Sequence, residues 1–204
     1  MKEKFGMLIA IAMVVFSYAC DNNDDTKKTV GETSEVYIDA SNSNEWQYYS
    51  LKNKDLVGSG VESDSANLVW AARTDWDFAV SRYSIRTNSG DATSVNAQGG
   101  VYTCDASVGF ESLVAIPTTA VFEVDEAVTS SGMSGTSTLV KSSATVIVFK
   151  TNEDGSKVMP PVYLQAPVYV FRTASGDGFY KVLFTQYQDE TLGSGHVKFK
   201  VAAF

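Results

Sequence analysis

TDWDFAVSRYSIRTNSG, residues 74–90, is the stretch on which the fold turns. Its first part, DWDFAVSRYSIR, is rich in Val, Tyr, Phe and Ile, with polar residues interleaved at a period of two, as in a half-buried strand. TNSG then breaks the pattern with residues that favour turns. Moving outward, the same alternation returns in VYID (36–39), WQYYSL (46–51), VFEV (121–124), ATVIVFK (144–150), VYVFR (168–172), FYKVLFTQY (179–187) and HVKFKVAAF (196–204). Gly, Ser, Asn and Asp clusters separate these runs, and residues 66–72 alone read as a helical turn. Short strands spaced by turn signals predict an all-β chain of mostly antiparallel sheets, a sandwich or a related sheet fold with minimal helix.

The N-terminus has a different character. Lys2 and Lys4 precede an apolar run, residues 7–16, that is too short to span a bilayer and reads as an export signal covering residues 1–19. The stretch Ser17, Tyr18, Ala19, Cys20 is similar to a lipoprotein cleavage box, with Ser17 where Leu is usual and a bulky Tyr18; an ordinary secretory signal is the alternative. Cleavage there leaves Cys20 as an acylated N-terminus. The polar stretch DNNDDTKKTVGETS, residues 21–34, then serves as a tether, so one folded domain is expected over residues 35–204. Loss of Lys2, Lys4 and Glu3 moves the net charge from −8 to −9. Nucleic acid is not an expected partner for so acidic a chain, and attachment to a membrane rests on the acyl anchor.

Catalytic signatures are mostly absent, a Ser, His, Asp triad assembled from separate strands being a minor alternative. One histidine, His196, allows no HExxH pair, and neither a GxSxG elbow nor a GxxxxGKS loop occurs. With Cys20 acylated, Cys104 has no partner for a disulfide and reads as a small packed side chain. His196 opens the last strand and reads as a solvated polar residue. Asp75 and Asp77 flank Trp76, and in a strand both lie on one face about 7 Å apart. That spacing falls between the two carboxylate separations of glycosidases, so pairing with Arg73, Arg82 or Arg86 is the favoured reading over an active site. Trp46, Tyr48, Tyr49 and Trp70 read as core aromatics or as a platform for stacking sugars.

Three connectors read as loops: residues 87–100, 129–137 (TSSGMSGTS) and 151–161 (TNEDGSKVMPP), the last with a hairpin tip over residues 152–155. Of the five methionines only Met133 and Met159 follow Cys20, and they sit in the second and third of these connectors, outside any apolar strand pattern. A methionine usually fills a core gap, but its thioether is also a soft ligand for iron and copper.

Residues 74–90 resemble the signature of the HmuY family of Bacteroidetes haem-binding lipoproteins, WDxAxxRyxxRTNsG, at Trp76, Asp77, Ala79, Arg82, Arg86, Thr87, Asn88 and Gly90. WQYYSL resembles that family's early W-x-Y-F strand. Asp21, Asp24 and Asp25 resemble the acidic export signal that follows the lipid-bearing cysteine in bacteria of the Bacteroides type, which implies an outer-membrane, cell-surface location. The resemblance implies a mostly β fold with finger-like hairpins that grip one haem, iron protoporphyrin IX, through two axial side chains. Some members use two histidines and others two methionines. With a single histidine, this chain fits the methionine version, with Met133 and Met159 as axial ligands; Tyr163 and Phe149 are candidate pocket residues only by their nearness to the methionine loops. It further implies a haemophore, not an enzyme, that takes haem from host haemoproteins and passes it to a TonB-dependent outer-membrane receptor. The rival readings are a surface glycan-binding lipoprotein without metal and a glycosidase built on Asp75 and Asp77.

Overall fold

The computed structural model describes residues 30–94, 96–132 and 135–204, without the side chains of 64 and 130–139. In chain order the elements are β1 (Ser34–Asp39), β2 (Glu45–Ser50), β3 (Asp55–Val61), α1 (Asp64–Ala71), β4 (Phe78–Ser81), β5 (Ser84–Thr87), α2 (Gly90–Thr93), β6 (Gly100–Thr103), β7 (Glu126–Gly132), β8 (Gly135–Lys141), β9 (Ile147–Phe149), β10 (Tyr163–Gln165), β11 (Tyr169–Arg172), β12 (Phe179–Gln188) and β13 (Ser194–Ala203). All named strand pairs are antiparallel. The all-β expectation holds.

Two sheets carry the core. One has the order β1-β13-β12-β11-β6, the other β3-β2-β4-β5. Their facing side chains meet in a single apolar cluster: Ile38, Tyr49, Phe78, Val80, Phe171, Phe184 and Phe199 among others, each essentially shielded from water. Phe78 lies at the centre, 5.0 Å from Phe171 and 5.7 Å from Phe199 between ring centroids. Rings in such offset and edge contacts add to the free energy of area burial.

Both outer faces are covered as well. On the four-stranded sheet, Trp46, Tyr48 and Ala79 pack against Trp70 of α1 and Trp76. Tyr48 stacks on Trp70 at 3.8 Å and meets Trp76 edge-on at 4.9 Å. Ser63 caps α1 by accepting the Ala66 amide, and Gly60 lets the Trp70 indole lie flat on β3, where a Cβ would collide with the indole nitrogen. On the five-stranded sheet the segment 104–116 folds over Val170 and Ala202. Buried Lys181 pins it, its Nζ donating to the carbonyls of Phe110 (2.8 Å) and Leu113 (3.1 Å).

Several expectations are corrected. Residues 75–86 form no single strand; they enter β4, turn at Arg82 and Tyr83 and return as β5, with Arg82 at φ 51°. All of β4 is buried because both faces of its sheet are covered, so alternation there does not mean one solvated face. Residues 121–124 contribute only a bridge between Glu123 and Val101. Residues 144–150 shrink to β9, with Thr145 bridged to Ser84. Within residues 129–137, expected as a loop, residues 129–132 belong to β7 and 135–137 to β8, in register from Glu126↔Lys141 to Gly132↔Gly135. Among the described residues these two strands pair only with each other. A ribbon of that kind needs no apolar face, so its Gly, Ser and Thr content conceals it.

Candidate functional site

The signature residues form a buried polar frame. Trp76 is fully buried and its indole N–H donates to the Trp70 carbonyl at 2.9 Å. Asp77 accepts the backbone N–H of Leu51 (2.7 Å) and of Ala174 (2.8 Å), joining both sheets through one carboxylate. Burial pushes this carboxyl above the usual Asp value, while the two amides pull the other way. Asn88 donates to the carbonyls of Arg73 and Trp76. Thr87 donates to Asp125 through both its backbone N–H and its hydroxyl, Thr93 adds a third donor at 2.7 Å, and the Asp125 amide donates to Ser89 Oγ. Burial also raises the Asp125 carboxyl above its ordinary value. Gly90, at φ 68°, permits this packing, since a Cβ would strike the Asp125 carbonyl. Arg86 lies over Trp46 at 4.2 Å and pairs with Glu62 at 2.8 Å, and Glu62 also accepts the Trp46 indole N–H.

Asp125 directly precedes β7, so this frame fixes the start of the hairpin whose chain continues to Met133. Met133 itself lies outside the described residues, as does Cys20. Neither signature strand contributes an exposed ligand; what the signature does is hold residue 125.

The next hairpin is pinned by its backbone. Lys150 donates its amide to the Val162 carbonyl and accepts the Val158 amide, and Asn152 and Ser156 close the tip with Gly155 at φ 81°. The tip expected at residues 152–155 is therefore present. Met159 follows, 75% exposed, joined to Pro160 by a cis peptide bond. On and beside β9 and β10, Val148, Val162, Tyr163 and Leu164 are exposed by 36–45%, with Val148 paired with Leu164 on one face and Tyr163 paired with Phe149 on the other. Tyr163 faces Phe149 across β9 and β10 at 5.6 Å, and a ring cluster continues to Tyr83 and Tyr187 at 5.1 and 5.3 Å.

The other candidates are differently placed. Asp75 and Asp77 precede β4 and share no face: Asp75 is exposed and pairs with Arg73 at 2.7 Å, while Asp77 is buried on amides. The expected arginine partner is therefore present for Asp75 alone, and no carboxylate pair opens to a substrate. Trp46, Tyr48, Tyr49 and Trp70 are 1–8% exposed, so they are core and no stacking platform. His196 is not simply solvated; Tyr37 Oη lies 2.8 Å from its Nδ1 and Asp189 3.4 Å from its Nε2. Cys104 is packed as expected, and burial raises its thiol pKa. Among the described residues, no three His, Cys, Asp or Glu side chains gather to hold a metal ion.

The family model described as HmuY protein matches residues 42–201. The chain belongs to the HmuY family. Two solved structures share the HmuY fold with it. One, a Bacteroides vulgatus protein assigned as HmuY-like and haem-binding, has a TM-score of 0.55 at 21% identity, covering 83% of this chain and 90% of its own. The other, the apo HmuY analogue of Tannerella forsythia, has a TM-score of 0.55 at 20% identity, covering 85% and 97%. No curated protein matches the chain. Among the described residues, no helix is long and apolar enough to cross a membrane.

Proposed function

We propose that this HmuY-family chain is a haem-binding lipoprotein, with Met133 and Met159 as the axial ligands of one haem iron. Membership of the family supports haem as the ligand, and the Bacteroides vulgatus relative is assigned as haem-binding. The observation that carries the ligand assignment is the setting of Met159. Its thioether is exposed on a backbone held by hydrogen bonds at Val158 and Lys150, just before the strand that pairs Tyr163 with Phe149. A methionine filling a core gap would be buried. His196 is engaged by Tyr37 and Asp189, and Cys104 is buried with a raised pKa, which leaves the thioether as the available soft donor on this hairpin.

The residues present fit the group. Haem supplies an iron that takes two axial donors and a planar apolar ring whose binding free energy comes mainly from burial. Phe149 and Tyr163, paired across β9 and β10, offer aromatic area to that ring. Thioethers are neutral and do not titrate in the physiological range, so this ligand set tolerates mild acid and favours ferrous over ferric iron relative to imidazole. The chain acts as a carrier: anchored through acylated Cys20 at the outer-membrane surface, it takes haem from host haemoproteins and delivers it to a TonB-dependent receptor.

Titrating the protein with haem and reducing it tests the assignment. Bis-methionine coordination gives a sharp Soret band on reduction, which Met133→Ala or Met159→Ala weakens or abolishes. A wild-type spectrum identical to that of free haem rejects the reading.

A further inference from the structure

The chain carries a net charge of −8, yet a free-acid porphyrin brings two carboxylates of its own. Long-range electrostatics therefore oppose capture, and a local cation has to offset them. Most basic side chains with assigned contacts are already engaged. Arg73 and Arg86 pair with Asp75 and Glu62, Lys200 with Glu111, Lys54 bonds Ser34, and Lys181 is buried on two carbonyls.

Lys157 is different. It is exposed, lies two residues before Met159, and bridges to Thr151 across the pinned hairpin. Its ammonium sits 3.8 Å above the ring of Phe149, whose edges meet Tyr83 and Tyr163. No carboxylate of the described residues pairs with it, and Asp154, its acidic neighbour at the tip, is taken up by Ser156. A ring face restrains the ammonium without neutralising it, leaving N–H donors for an anion. The hairpin thus places a held, unneutralised cation on the aromatic face that Phe149 and Tyr163 share, two residues before Met159 in the chain.

We propose that Lys157 receives a propionate carboxylate of the bound porphyrin and gives the site its preference for free-acid porphyrins over their esters. This rests on the haem reading above and assigns a role to a residue that the iron does not touch.

The test compares haem with its dimethyl ester, which keeps the iron and ring but lacks both charges. Binding to the full chain is read by quenching of tyrosine and tryptophan fluorescence as well as by the Soret band. Wild type binds the diacid more tightly than the ester by about fivefold, and added salt shrinks that ratio. Lys157→Gln brings the ratio close to one by weakening diacid binding alone, and Lys157→Arg restores it. A Lys157→Gln variant that keeps the wild-type ratio overturns the proposal. So does a wild type that binds both porphyrins equally, an outcome that leaves haem binding itself intact. A wild type that binds neither overturns the haem reading and this assignment with it.

Discussion

At the scale of single residues, two neighbouring aspartates of one motif have unlike roles. Asp75 sits in an exposed pair with Arg73, where attraction is screened and side-chain entropy opposes it. Asp77 takes two amides from separate segments of chain in a buried position, and removing it strands both N–H groups away from water. Asp77→Ala is expected to cost about 3 kcal/mol in urea unfolding and Asp75→Ala within about 0.5 kcal/mol. Comparable losses in the two variants would contradict this division. Met159 has the opposite profile: it adds little to the core, so Met159→Ala is expected to change the reduced haem spectrum with the unfolding midpoint preserved. The motif was legible in the sequence as a family signature, but its physical role was not. Which backbone groups Asp77 and Asp125 accept depends on segments up to 97 residues away.

At the scale of elements, the two-stranded ribbon of β7 and β8 contrasts with the sheets. Among the described residues it pairs with no other strand, and a lone hairpin is at best marginal in water, so its position depends on anchorage at its ends. Asp125 supplies that anchor at the β7 end, and at the β8 end Val140 reaches the pocket lined by Tyr48, Trp70 and Arg86. Replacing residues 128–139 with a short Gly-Ser turn is expected to leave global stability within about 1 kcal/mol and to remove haem binding. Loss of the cooperative unfolding transition in that variant would show that the ribbon belongs to the core. Such a ribbon was missed in the sequence for a definite reason: TSSGMSGTS has no apolar period, and hydrophobic alternation reports only strands that bury a face. GVYT (β6) and DLVGSGV (β3) are hidden similarly, their glycines marking close approach and not a break.

For the whole molecule, pH reaches the fold through opposed groups. Asp77 and Asp125 have raised pKa values from burial, so in the folded chain they take up protons at higher pH than when unfolded. Between the ordinary Asp value and the raised ones, folding binds protons, and this part of the stability grows as pH falls through that window and declines as it rises. Asp75 is lowered, chiefly by its bond from Arg73, and loses stability as pH falls; being exposed, it weighs little. Urea unfolding is therefore expected to be no weaker at pH 5 than at pH 7, and ferrous haem affinity to vary by less than about threefold over that range. A steep loss of affinity with the fold intact would point to a titrating ligand instead of a thioether.

Pattern and composition in the chain were enough for the all-β class, the turn-rich connectors, the helical turn near Trp70 and the family, because alternation and a local signature are properties of neighbouring residues. Met133 and Met159 stood out for the same reason, as polar-context methionines. Tertiary structure decided that the aromatics of WQYYSL are core, that Asp77 joins two sheets, that the signature braces Asp125 at the start of a ribbon, and that Lys157 rests on Phe149. Each of those facts depends on which distant segments meet, and a hydrogen bond or ring contact between them exists only once the two sheets have closed.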